Sequence, residues 1–186
     1  MPERLPDNRV PERQVVLYPD PVLRRKARPV EAVDDAVRAL VEDMFLVMEQ
    51  EDGAGLAAPQ VGESLRIFVT GADGRGVPRK AYINPVLVEV GGDFESVDEG
   101  CLSLPEIRGS VRRPTTVTIR ALDVDGTEFT ETSSEFAARV WQHEFDHLEG
   151  VLIIDKMSPL DRLRVRRALK DLKAAAEEDE IGRAHV

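Results

Sequence analysis

QHEFDHLEG, residues 142–150, sets two of the chain's three histidines one helical turn apart, with a glutamate directly after the first. In a helix, the step from His143 to His147 is ~400° of rotation and ~6 Å of rise, so both imidazoles leave one face and can reach one metal ion. Glu144 lies ~100° around from the first, an offset that suits a water beside the metal better than the metal itself. Helical patterning runs from Glu135, and Gly150 is the expected C-cap.

Two imidazoles do not complete such a site, because a catalytic centre of the zinc type takes three protein ligands and leaves one position open. His185 falls in a polar tail, so the third donor is a carboxylate or the only thiol, Cys101. A lone cysteine is more often a small buried hydrophobe than a ligand. Its surroundings argue otherwise: in EGCLSLP (99–105) Gly100 frees the backbone and Pro105 stiffens the exit, which presents one side chain and the amide after it. Further upstream, GAGLAAPQVG (53–62) is crowded with small residues that let another backbone approach, and Gln60 offers a side-chain N–H to developing negative charge. It carries no phosphate-loop lysine and does not follow the G-x-G-x-x-G pattern.

Around these stretches the chain reads as one α+β domain. From Asp34, Val37, Leu40, Val41, Met44, Phe45 and Met48 recur at three- and four-residue spacing, the stripe of an amphipathic helix capped by Asp34 or Asp35. Short β-rich runs follow at 66–70, 81–84, 86–90 and 117–132, the last broken by an Asp125-Gly126 hairpin signal. A last helix starts at Ser158, which can cap it, with Pro159 in its first position. One helix, then many strands, then two helices is the order of an α+β fold and not of alternating βαβ units. Residues 1–14 read as a charged, proline-rich leader, 15–176 as a single catalytic domain and 177–186 as a C-terminal tail.

The 186 residues carry a formal charge of −10, which argues against a nucleic-acid surface. A single cysteine fits a reducing compartment, and the absence of any long apolar run fits neither membrane span nor secretion, so the expected location is cytoplasmic.

With GAGLAAPQ, EGCLSLP and QHEFDHLEG in that order, the sequence resembles the peptide deformylase family from about Leu17 to the last helix. The short stretch between Gln60 and Asn84 and the helical C-terminus resemble its compact bacterial and organellar branch. The resemblance implies antiparallel β-sheets packed around a central metal-binding helix, with a C-terminal helix, and a hydrolase that removes the formyl group from the N-terminal formyl-methionine of new polypeptides. It implies Cys101, His143 and His147 as ligands of one divalent ion per chain, Fe²⁺ in the cell, with Zn²⁺, Ni²⁺ or Co²⁺ able to replace it. Attack is by a hydroxide on that metal, with Glu144 as general base and acid, and with Gln60 and the Leu102 backbone N–H as donors to the oxyanion. Gly55 lies beside the bound peptide in this reading, and Ala54, Phe136 and Val140 line its side-chain pocket. Ala54 stands where the family usually has Ile or Val. Formylated nascent chains are the implied partner, with the ribosome near its exit tunnel as a further one. A structural pair between Arg113 and Asp146 is also expected.

Two other functions compete. An H-E-x-x-H endopeptidase leaves Cys101 and the GAGLAAPQ stretch unexplained. A catalytically silent metal-binding relative predicts the loss of Glu144, Gln60 or a ligand, and all are present.

Overall fold

The computed structural model describes residues 9–71 and 75–185. Helix α1 (Asp35–Gln50) starts where the spacing predicts, with the Asp34 carboxylate accepting the Val37 N–H at 2.9 Å. Strands β1 (Gly55–Ala57), β2 (Ile67–Thr70), β3 (Lys80–Cys101), β4 (Leu104–Leu122) and β5 (Glu128–Ser133) follow as an antiparallel meander in the order β1-β2-β3-β4-β5. Helix α2 (Phe136–Leu148) carries the two histidines, and α3 (Ile153–Lys156), α4 (Pro159–Arg164) and α5 (Arg166–Ala184) complete the chain.

The sheet is held between helices, and the strand period explains how. Successive strand residues point to opposite faces. Leu56, Ile67, Val69, Ala81 and Ile83 join the apolar face of α1, whereas Ala57, Phe68 and Tyr82 join Ala138, Val140 and Trp141 of α2 on the other. All four residues of β2 are therefore buried. Fully burying each large apolar side chain contributes roughly 1.5–3 kcal/mol, so α2 is fixed by the sheet as much as by its own hydrogen bonds. A third cluster joins Leu104, Ile107 and Val111 of β4 to Leu152, Ile153, Ile154 and Met157.

The architecture differs from expectation in three places. Instead of several sheets there is one continuous sheet, in which the runs at 81–84 and 86–90 merge into the 22-residue β3 and pair with the 19-residue β4. Register shifts at Ile83/Val86, Leu87/Glu89 and Gly91/Phe94 mark bulges, which bend a strand while keeping it paired. Pro85, Gly91 and Gly92 obscure the strand pattern in the sequence because they sit at these irregularities. The expected last helix is broken at the buried Val165 into α4 and α5, and the single turn α3 precedes it. Ser158 does cap, its hydroxyl accepting the Asp161 N–H at 3.2 Å. The Asp125-Gly126 turn joins β4 and β5 as expected, with Gly126 at φ 78°.

Of the expected leader, residues 1–8 lie outside the described residues. Glu12 and Arg13 are tied down, their N–H groups donating to the Asp43 carboxylate at 2.7 and 3.0 Å. Among the described residues no helix is long and apolar enough to cross a membrane.

Candidate metal centre and active site

Helix α2 is fixed at its middle and at its end. Midway along it Gln142 Nε2 donates to the Pro114 carbonyl at 2.9 Å, and at its end Ala27 N–H and Arg66 Nη1 both donate to the Leu148 carbonyl, at 2.9 and 3.1 Å. The chain then turns at Gly150, whose φ is 73° and where a Cβ would lie 2.4 Å from the Arg24 carbonyl oxygen. Only glycine meets both conditions.

The β3–β4 hairpin reaches this helix from the other side. Cys101 pairs with Leu104, which leaves Leu102 and Ser103 as the turn. One donor atom each from Cys101, His143 and His147 lie within 4.8 Å of one another, and Cys101 Sγ is 3.5 Å from His147 Nε2. Metal–sulfur and metal–nitrogen bonds of about 2.3 and 2.0–2.1 Å at tetrahedral angles separate S and N by roughly 3.6 Å, so this pair already has the spacing of two ligands. His143 Nδ1 is held by Glu99 Oε1 at 2.9 Å, which leaves Nε2 as the nitrogen for the side of Cys101. A thiol and two imidazoles fit a borderline-soft divalent ion.

The electrostatics separate the two imidazoles. Burial would lower the pKa of His143, but hydrogen bonds to Cys101 and Glu99 outweigh it and raise the value well above the usual one. Burial also lowers His147, and the charges of His143 and Arg113 push it further down. Glu144 is buried, its Oε2 has no hydrogen-bond partner among the described residues, and burial pushes its pKa up to about 7 despite the opposing charge of His143.

Gln60 sits at the end of β1 and the short turn after it. Its Oε1 accepts the Ala57 N–H at 3.0 Å, and Nε2 faces Ser103 Oγ at 3.2 Å and Cys101 Sγ at 3.5 Å. Gly55, Ala54, Leu102, Phe136, Val140 and Glu144 line one cavity of about 520 Å³ together with Gln60, Cys101 and His143. His147 is buried behind Cys101. Gly55 stands directly against the glutamate, since a Cβ there would come within 2.8 Å of Glu144 Oε1. His185 is far from this convergence in sequence and exposed, at the end of α5.

Sequence reasoning missed the wall behind His143. Glu99 accepts from Arg113 Nε and Nη2 at 2.7 and 3.0 Å and from Arg139 Nη1 at 2.5 Å, besides its contact with His143. Arg113 also donates to Asp146 at 2.9 Å, the expected pair, and Lys156 reaches the same carboxylate at 3.0 Å. Glu99 opens the EGCLSLP stretch, and the signal was its adjacency to Cys101; nothing in the sequence points to Arg139 as its partner.

The polypeptide deformylase family profile matches residues 12–163. The chain belongs to this family. It is accordingly a deformylase, a hydrolase. It is 44% identical over 159 residues to the peptide deformylase of Thermotoga petrophila, covering 86% of this chain and 95% of that one. Among solved structures, the Plasmodium falciparum peptide deformylase in complex with an inhibitor superposes with a TM-score of 0.80 at 41% identity, over 86% of this chain and 99% of the other. Arabidopsis thaliana peptide deformylase 1B, also with an inhibitor, gives 0.84 at 39% identity, over 89% and 93%. The deformylase thus shares its fold, and not only its motifs, with these enzymes.

Proposed function

We propose that the chain hydrolyses the formyl amide at the N-terminus of newly made polypeptides, releasing formate and a free methionine amine, at the cavity lined by Glu144, Cys101 and His143, with His147 behind Cys101. The observation that carries this reading is the buried Glu144 carboxylate with no partner on Oε2 among the described residues, next in sequence to His143 and in one cavity with the Cys101 thiol. Cys101, His143 and His147 would hold a divalent ion, which supplies Lewis acidity to water and to the formyl oxygen when bound. Glu144 takes the proton of the attacking water and delivers it to the departing amine nitrogen. A group with a pKa near neutrality does both tasks at little cost. Gln60 Nε2 and the Leu102 N–H donate to the oxygen that becomes negative as water adds to the formyl carbon. Ala54, Phe136 and Val140 receive the methionine side chain.

Fe²⁺ is the ion of the cell in this reading, with Zn²⁺, Ni²⁺ or Co²⁺ occupying purified protein. Residues 15–176 form the catalytic unit, and the single cysteine together with the substrate supports a cytoplasmic place. Ribosome association is supported by exposed Arg162, Arg164, Arg166, Arg167, Lys170 and Lys173, which gather positive charge in a chain of formal charge −10.

The test is anaerobic assay of Fe²⁺-loaded protein on formyl-Met-Ala-Ser, with formate measured beside casein cleavage. Formate release without casein cleavage is expected. Casein cleavage without formate would return the chain to the endopeptidase reading, and neither activity would leave the silent metal-binding reading.

A further inference from the structure

Ser103 follows Leu102 in the turn between β3 and β4, is fully buried, and has no part in the chemistry so far assigned. Its hydroxyl meets the Gln60 carboxamide at 3.2 Å. We propose that Ser103 is a positioning residue, which holds the Gln60 side-chain amide in the one orientation that presents an N–H to the reacting oxygen. The inference rests on the role of Gln60 as donor to that oxygen.

A carboxamide can be turned two ways, and its neighbours decide which. The Ala57 N–H can only donate, so it fixes Oε1 toward β1 and sends Nε2 to the other side. There the amine has two hydrogens. Ser103 Oγ accepts one, and the other is left for the side of Cys101 Sγ, where Gln60 lines the cavity. With the hydroxyl gone, the carboxamide keeps its Oε1 anchor on the Ala57 N–H but loses the one on Nε2, and it can swing about the last side-chain bond.

The backbones of the two residues are tied together as well. Val16 N–H donates to the Gln60 carbonyl at 2.7 Å and Tyr18 N–H to the Ser103 carbonyl at 2.9 Å, so one short segment spans both. A donor fixed in advance needs no reorganisation when charge develops, and this is what gives such a donor its catalytic value.

Ser103→Ala should lower kcat about tenfold, a fraction of the ~10²–10³ expected for losing the donor itself, with KM within about twofold and one metal still bound per chain. In a Gln60→Ala background the same change should cause no further loss of kcat. A readout independent of turnover is proton exchange of the Gln60 side-chain amide in metal-free protein, its signals assigned by their disappearance in Gln60→Ala; exchange should quicken in Ser103→Ala. Unchanged kcat, a loss that tracks lost metal, an equal fold-loss in the Gln60→Ala background or unchanged exchange would each overturn the role of Ser103. A Gln60→Ala enzyme as fast as the parent would overturn the assignment of Gln60, and the inference with it.

Discussion

Glu99 and Glu144 flank the same imidazole with similar burial, 7% and 4% exposed, yet their protonation is driven in opposite directions. Burial raises both. At Glu99 it is overcome by hydrogen bonds from His143 and Arg113 and by the charge of Arg113, which hold the carboxyl well below the usual range. At Glu144 the burial stands, and the pKa rises to about 7. The difference lies in partners, since Glu99 receives two arginines and a histidine while one oxygen of Glu144 has none. One carboxylate is built into the wall that aims His143, and the other is kept available for a proton.

The two shifts bear oppositely on stability. Because the folded pKa of Glu99 is depressed, its contribution is fully present above the ordinary 4.5 and is lost as pH falls through the folded one. Because the folded pKa of Glu144 is raised, the native state holds its proton longer than the unfolded chain, so stability falls as pH rises from the ordinary 4.5 to about 7 and stays reduced above.

The largest effect should come from removing the available carboxylate. Glu144→Gln should lower kcat by ~10²–10⁴ while one metal per chain remains bound, as read by formate release and metal analysis. In metal-free protein the same variant should match the parent in denaturant stability near pH 4 and exceed it by on the order of 3 kcal/mol at pH 8. Equal stability at both pH values would mean that Glu144 carries no burial penalty, and the comparison with Glu99 would collapse.

Breaking the partnered carboxylate should act on fold and metal together. Glu99→Gln leaves Arg113 and Arg139 buried with a neutral acceptor, and removing one member of such a pair costs about 3–5 kcal/mol when the charge is left uncompensated. Metal affinity should fall ~10–100-fold, because His143 loses the partner that orients its ring. Thermal unfolding and a chelator competition would measure both. Full metal affinity at reduced stability would make Glu99 a purely structural anchor.

Gly55→Ala tests Glu144 from outside. A Cβ at 2.8 Å from Oε1 meets the end of a flexible side chain, which can move, so the fold should survive. The Glu144 carboxylate would be displaced instead. A loss of about tenfold in kcat with metal retained is expected, since small misplacements of reacting groups are costly. An unaffected kcat would show that Glu144 reaches its working position by another rotamer.

The site was more legible than the frame around it. His143, Glu144 and His147 follow from helical period alone, and the Cys101 turn is announced by its flanking glycine and proline. Glu99 was visible only as a neighbour of Cys101. Its partner Arg139 comes from 40 residues away on α2, a contact that local spacing cannot encode. The long β3–β4 ladder was hidden for a related reason: bulges at Pro85 and around Gly91 interrupt the alternation, and only pairing with the other strand carries the chain across them. Helices α3 and α4 are too short to generate a periodic signal of their own.

The smallest expected effect concerns the apolar lining of the cavity. Ala54 is half-buried, lines the cavity with Phe136 and Val140, and packs at the edge of the cluster that holds α2 to the sheet. If the methionine side chain lies against it, a larger residue would fill space that alanine leaves. Each methylene brought into contact in a closed apolar pocket is worth ~0.8 kcal/mol, and this pocket opens into the wider cavity, so only part of that gain should be realised. Ala54→Ile should therefore lower KM for formyl-Met peptides two- to several-fold with kcat little changed, the mark of binding gained equally by substrate and transition state. Phe136 lines the same cavity, and a clash with it would raise KM instead, more for formyl-Phe than for formyl-Met. Because neither Glu144 nor Glu99 borders Ala54 in the chain's hydrogen bonding, the pH profile of kcat should stay where it is. A shift in that profile would show that Ala54 and Glu144 are coupled, through Gly55, which follows Ala54 and stands against Glu144.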